Sequence, residues 1–190
     1  MPFVVVYDAC VLYPNTLRDL LIRIAVSGLV QARWTDRILD ELETALRKRR
    51  PDTTAEQTER LRRLMVRAVP DCLVTGYEGL ADGLDLPDEN DRHVVAAAKQ
   101  AGAQVIVTHN LRDFPADQLR RLGLEAKSPD EFVLDQLGID DREVWACLQQ
   151  IADSRRKPPE TIDDIMNQLE RAGLIRSVAQ LRSPGSSPSG

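Results

Sequence analysis

The chain has 190 residues, 43% hydrophobic and 29% charged, with a net charge of −5. That is the composition of a soluble globular protein, long enough to bury a core without disulfides, and no apolar run approaches the roughly 20 residues of a membrane span. The three cysteines, Cys10, Cys72 and Cys147, lie far apart with no CxxC spacing, which argues against a disulfide framework or a zinc site and favours buried free thiols.

The first element is the β-branched run Phe3-Val4-Val5-Val6-Tyr7, expected as a strand buried on both faces. It has neither the length nor the basic leader of a signal peptide, so a cytoplasmic location is expected. Pro14 can open a helix whose apolar positions Leu17, Leu20, Leu21, Ile24 and Ala25 keep helical spacing to Gly28. Residues 29–34 read as a second strand. Thr35 is an N-cap for a helix through Ile38, Leu39, Leu42, Ala45 and Leu46 that ends before Pro51, and Thr54 with Gln57 has capping-box spacing for a third helix to about Val69. Residues 72–75 are a third strand candidate, and 76–90, with three glycines and Pro87, are mostly loop.

A helix then runs from about Glu89 to Gln100 and is closed by Gly102. Residues 103–107 form a fourth strand, Pro115 begins a short helix to Leu122, and 124–126 form a brief fifth strand. Ser128-Pro129-Asp130-Glu131 combines an N-cap, Pro at the first helical position and a capping Glu. The alternation predicts an α/β fold, a five-stranded parallel sheet with helices on both faces. After Leu137 the pattern is helical only, over 140–156, 160–172 and 174–181. The expected organisation is therefore a domain over 1–137, a helical C-terminal extension over 138–182 and a disordered Ser/Pro/Gly tail over 183–190.

In parallel sheets, ligands bind beyond the carboxyl ends of the strands. Asp8 directly follows the first strand, and Thr108-His109-Asn110-Leu111-Arg112-Asp113 follows the fourth, so Asp8 and Asp113 share an edge. Asp88-Glu89-Asn90-Asp91 puts three acids in four residues at the start of a helix entering from that edge. Each acid has an ordinary explanation, as a cap or a helix-dipole partner. Together they are hard to keep ionised, because like charges raise each other's pKa. A hard divalent cation removes that penalty and prefers oxygen ligands. The charge map agrees: from Arg47 to Arg67 there are eight basic and three acidic residues, whereas from Asp71 to Asp91 there are seven acidic residues and no basic one. Carboxylates for metal and arginines for phosphate give such a map, and so do solvated helix faces.

Four segments in order, Val6-Tyr7-Asp8-Ala9-Cys10-Val11-Leu12, Ile38-Leu39-Asp40-Glu41-Leu42, Asp88-Glu89-Asn90-Asp91-Arg92-His93-Val94 and Val105-Ile106-Val107-Thr108-His109-Asn110-Leu111-Arg112-Asp113-Phe114-Pro115, resemble the PIN domain family over about residues 1–135. The resemblance implies a five-stranded parallel sheet and a Mg²⁺- or Mn²⁺-dependent ribonuclease, a hydrolase cutting RNA internally. It puts acidic ligands at Asp8, Glu41, Asp91 and Asp113, with the Thr108 hydroxyl orienting the site, and Glu41 rests on it alone. Many bacterial members resemble VapC-type toxins of toxin–antitoxin systems, and the part after 138 resembles an extension found in one branch of them. Two departures matter: Asn110 stands where some relatives carry an acid, and Asp88 is an additional acid that could replace or assist Asp91.

The expected chemistry is metal-assisted hydrolysis of an RNA phosphodiester, leaving a 5′-phosphate and a 3′-hydroxyl. Asp8 and Asp91 hold the principal ion, with Glu41 and Asp113 completing its shell. Arg47, Lys48, Arg49, Arg50, Arg62 and Arg63 could steer the phosphate backbone, although a helix turns only some of them toward it. His93 and His109 are not needed. Expected partners are RNA and a cognate antitoxin protein; pairing with a second copy of the chain stays open, and no membrane partner is expected. The alternative is a non-catalytic RNA- or protein-binding module acting through the basic helices and the extension. A phosphatase-like reading fails, because Ala9 and Cys10 stand where an Asp-x-Asp motif would be, and no P-loop follows the first strand.

Overall fold

The structure is a computed structural model describing residues 2–183; the tail expected over 183–190 falls, from 184 on, outside the described residues. Strands β1 (Phe3–Tyr7), β2 (Val30–Arg33), β3 (Val105–Val107) and β4 (Glu125–Lys127) form one parallel sheet in the order β2-β1-β3-β4. Val5, Val6 and Tyr7 of the central strand are each no more than 1% exposed. Successive strand residues point to opposite faces, so both faces of β1 are covered. The chain moves from β1 outward to β2 and later returns to β3 on the other side of β1. That reversal is a topological switch point, where such sheets open a crevice at their carboxyl ends.

The sequence predicts five strands; among the described residues the sheet has four. Residues 72–75 make only a single parallel bridge, Leu73 opposite Trp34. Trp34 N–H donates to the Cys72 carbonyl at 2.8 Å, and Val74 N–H donates to the Trp34 carbonyl at 2.9 Å. The reason is local. Asp71 (φ 57°) and Gly76 (φ 72°) both adopt left-handed backbone, so the segment is turned away at each end before a ladder can grow.

Helices α1 (Ala9–Leu12) and α2 (Asn15–Val26) join β1 to β2. The pair α3 (Asp36–Arg49) and α4 (Ala55–Ala68) follows, each started by the expected threonine: Thr35 caps Ile38 N–H, and Thr54 forms a full capping box with Gln57. The loop over 76–90 contains one short helix, α5 (Glu78–Ala81). A 3₁₀ turn over Glu89–Asp91 leads into α6 (Arg92–Gln100), which packs on β1 and β3. After β3 come a second 3₁₀ turn, Leu111–Asp113, and α7 (Ala116–Arg121).

Helix α8 (Pro129–Ser154) begins with the Ser128–Glu131 capping box and is kinked at Asp140 (φ −153°, ψ 92°), where the Asp140 side chain caps Glu143 N–H. α9 (Ile162–Arg171) and α10 (Ile175–Arg182) complete the extension. Leu148, Ile151, Ile165, Leu169 and Val178 belong to the same continuous apolar cluster as Val6, Leu20 and Ile106. Polar contacts tie the extension to α2: Arg155 pairs with Asp19 at 3.3 Å, Arg23 donates to Gln150 at 3.1 Å, and Thr16 donates to Gln168. Asp130 accepts from the Arg176 and Ser177 amides, fastening the start of α10 to the start of α8. Tyr7 joins the sheet to the first part of α8, with its ring 6.4 Å from Trp34 and 5.9 Å edge-on to Phe132; such pairs contribute about 0.5–1.5 kcal/mol beyond burial. No helix of the described residues is long and apolar enough to cross a membrane.

Candidate active site

Asp8 leaves β1 at the switch point, its amide bonded to the Val107 carbonyl of β3 at 3.1 Å. Its carboxylate is buried and fully oriented. Oδ1 accepts the Ala9 amide at 2.7 Å, so Asp8 also caps α1. Oδ2 accepts the Thr108 hydroxyl at 2.8 Å and the Cys10 thiol at 3.3 Å. Thr108 has no exposed surface, and its Oγ1 also accepts the Asn110 amide at 3.0 Å. One hydroxyl thus fixes the β1 acid and the β3 loop together. Burial, and then the Asp8 charge, push the Cys10 thiol up to about 12, so it stays a protonated donor.

Asp8, Glu41 and Asp91 line one open cleft of about 630 Å³ with Asn110, Tyr13, Lys48 and Arg49. Asp91 is half-buried at the N-cap position of α6, yet its side chain caps nothing. Its carboxyl is pushed up to about 6, first by burial and then by the charges of Asp8, Asp88 and Asp113, with His93 acting in the opposite direction. Asp113, too, caps no helix: Pro115, not Asp113, holds the N-cap position of α7. Asp88 does cap its turn, accepting from Asn90 N–H at 2.9 Å. Asp88 and Asp113 therefore stand near enough to Asp91 to help push its pKa up, whereas Asn110 is the β3-loop residue in the cleft lining. Among the described residues, Asp8, Asp88, Asp91 and Asp113 have no ion-pair partner.

Glu41 has two neighbours. Arg37, one turn earlier on α3, is 3.5 Å away, and His93 Nε2 is 2.8 Å away. The six basic residues divide. Lys48 and Arg49 line the cleft, with the Arg49 guanidinium 6.0 Å above the Tyr13 ring. Arg47 is held by Glu43 at 2.5 Å, Arg62 by Asp36 and Asp40 at 2.6 Å each, and Arg63 lies 3.5 Å from Glu59. Arg50 supplies the C-cap of α3. His109 sits on the exposed loop, with its imidazole lowered by burial against the pull of Asp8, and its ring faces Gly173, where a Cβ would lie 3.7 Å from Cε1.

Reading the sequence alone misses Cys10, Tyr13 and His93. Cys10 is not a buried structural thiol like Cys72 and Cys147 but a half-buried partner of Asp8. The signal for it is its place two residues after Asp8, at the start of a helix. The signal for His93 is a lone polar residue heading the otherwise apolar run Val94-Val95-Ala96-Ala97-Ala98, all buried.

The donor set is entirely oxygen and anionic, and of its members only Glu41 has an ion-pair neighbour among the described residues, which fits a hard divalent cation. Among the described residues no group of three or more Asp, Glu, His or Cys side chains is arranged to hold a metal ion, so the four acids expected to share one do not converge as a ready-made site.

The fold is a parallel α/β domain with a switch-point cleft lined by acids from the end of β1, from α3 and from the start of α6, and the chain belongs to the PIN domain family, whose model matches residues 4–112. A second family model, described as the VapC50 C-terminal domain, matches residues 129–183. Over 101 residues the chain is 38% identical to a protein of Mycobacterium tuberculosis (strain ATCC 25618 / H37Rv) named "Putative ribonuclease VapC50"; the match covers 53% of this chain and 60% of that protein. The chain thus spans less than two thirds of that relative's length. No solved structure matches.

Proposed function

We propose that the chain is a divalent-metal-dependent ribonuclease, the toxin of a type II toxin–antitoxin pair, acting on RNA in the cytoplasm. The observation that carries this reading is that Asp8 and Asp91, carboxylates with no ion-pair partner among the described residues, line one cleft together with Glu41, Lys48 and Arg49. Asp8 and Asp91 would hold Mg²⁺ or Mn²⁺, with Glu41 and Asp113 completing its surroundings directly or through water. When bound, the ion neutralises the clustered acids and supplies Lewis-acid chemistry at the scissile phosphate. Thr108 and the Ala9 amide hold the Asp8 carboxylate in one orientation, so no reorganisation is needed as metal and substrate arrive. Lys48 and Arg49 bind flanking phosphates, and Tyr13 with Ala9 and Ala45 offers an apolar wall to an RNA base. The match of residues 129–183 to the VapC50 C-terminal domain supports the toxin reading, and with it a cognate antitoxin as protein partner. The alternative of a non-catalytic module leans on the basic helices, but Arg47 and Arg62 are already engaged by acids of the chain itself.

Purified, partner-free protein is to be incubated with RNA in Mg²⁺ or Mn²⁺, beside a chelator control and Asp91→Asn. Cleavage that needs metal and falls at least about 10³-fold in Asp91→Asn is expected. Cleavage in chelator, or an Asp91→Asn variant as active as the parent, sinks the mechanism. Expression is expected to arrest growth, with relief by a co-expressed neighbouring gene; no effect on growth counts against the toxin reading.

A further inference from the structure

Glu41 is the one acid in the cleft that the start of neither a helix nor a loop delivers there. It stands inside α3, and its side chain must be turned toward groups borne by β1 and α6. Arg37 is a weak tether for it, being 51% exposed and 3.5 Å away. His93 is different. Its side chain is 2% exposed, comes from α6, and places Nε2 2.8 Å from Glu41 Oε1. Neither ring nitrogen has an aligned hydrogen bond within the described residues, and Glu41 is the acid within ion-pair reach. Burying an imidazole costs free energy that an apolar side chain, such as those at the next five positions, would not incur. Packing alone therefore does not account for a histidine here. The same helix that carries Asp91 at its N-cap position carries, two residues on, the group that meets Glu41. α6 thus sets the spacing of two acids that come from different parts of the chain.

We propose that His93 is a positioning residue that fixes the Glu41 carboxylate over the cleft beside Asp8 and Asp91, and so sets the site's affinity for divalent metal. This rests on the metal-site reading above. His93 touches neither metal nor substrate; it acts through Glu41, as the partners of metal-binding carboxylates commonly do.

The test is Mn²⁺ titrated into the full chain and followed by electron paramagnetic resonance of the free ion. The parent is compared with His93→Phe, His93→Gln, Glu41→Gln and the double variant. His93→Phe is expected to weaken Mn²⁺ binding about 10-fold. His93→Gln, whose amide N–H reaches toward the place of Nε2, restores most of it. In the Glu41→Gln background His93→Phe adds less than about 2-fold, because residues acting as one unit are not additive. Parent-like binding by His93→Phe, or effects that multiply in the double variant, overturns the proposal. If His93→Phe does not fold, His93→Asn replaces it; its shorter amide cannot reach Glu41, so it should weaken binding about 10-fold, and parent-like binding again overturns the proposal. A parent that binds no Mn²⁺ overturns the metal-site reading as well, which separates the two failures.

Discussion

Two regions of this molecule are dense in charge and are built in opposite ways. On α3 and α4, acids and bases neutralise each other: Arg62 bridges Asp36 and Asp40, Arg47 takes Glu43, and Arg63 takes Glu59. At the carboxyl edge of the sheet, Asp8, Asp88, Asp91 and Asp113 have no ion-pair partner among the described residues, and Asp91 is pushed up to about 6. In the first region Arg62 ties α4 to α3, while the other two pairs stay within one helix each. The second gathers acids with no ion-pair partner around a cleft, which costs stability and is the arrangement from which we propose cation binding. Net charge alone conceals the difference.

The largest effect that sharpens this comparison should come from the only two of the six cationic side chains that line the cleft. Lys48→Ala with Arg49→Ala is expected to lower kcat/KM on RNA about 10- to 100-fold. It should also flatten the salt dependence of RNA binding by roughly 1.4 in log–log slope, at about 0.7 per lost single-strand contact. Initial cleavage rates read the first, and filter binding over a salt series reads the second. An unchanged slope would move these residues out of the substrate path.

A smaller effect comes from Asp91 in the metal-free protein. Its folded pKa, about 6, lies above the unfolded value of about 3.9. The folded chain therefore holds a proton that the unfolded chain has lost between those values. The stabilisation is complete below about pH 4 and disappears as pH rises through about 6. Thermal melts in chelator should show the parent losing more Tm than Asp91→Asn between pH 5 and 7.5. At pH 7.5 the variant should melt about 2 °C higher, under about 1 kcal/mol once the cleft's solvent exposure is discounted. A variant less stable than the parent at pH 7.5 would show that the Asp91 charge is already satisfied within the protein.

The smallest effect belongs to the paired region. Arg62→Ala should cost about 0.5–1 kcal/mol, seen as roughly 2 °C in Tm, and leave RNA cleavage within about 2-fold of the parent. A large loss of cleavage with unchanged Tm would place Arg62 on the substrate instead of on Asp36 and Asp40.

Much of this fold is readable from residue patterns because its central strands are uninterrupted. Val4-Val5-Val6-Tyr7 and Val105-Ile106-Val107 need cover on both faces, and that alone implies a layered parallel sheet. The helix starts at Thr35, Thr54 and Ser128 are equally plain, since their capping partners lie within three residues. The failed strand at 72–75 is apolar enough; what stops it is left-handed backbone at Asp71 and Gly76, and an aspartate with φ 57° leaves little trace in a sequence. In the cleft, Asp8 is legible from its place after β1, but its three donors are not, because Thr108 is 100 residues away. Glu41 looks like any helical glutamate until His93, 52 positions on, is seen beside it; only the PIN resemblance draws attention to it. The division of the basic residues is likewise tertiary: whether Arg62 faces RNA or Asp36 depends on how α4 crosses α3.

The most direct test of the central claim is calorimetric titration of Mn²⁺ into the partner-free chain at pH 7.5, beside Asp8→Asn and Asp91→Asn. Saturable binding by the parent, weakened at least about 10-fold in both variants whether or not RNA is present, is the expected result. A parent that does not bind, or variants that bind as the parent does, would contradict the assignment of these unpaired carboxylates to a metal ion.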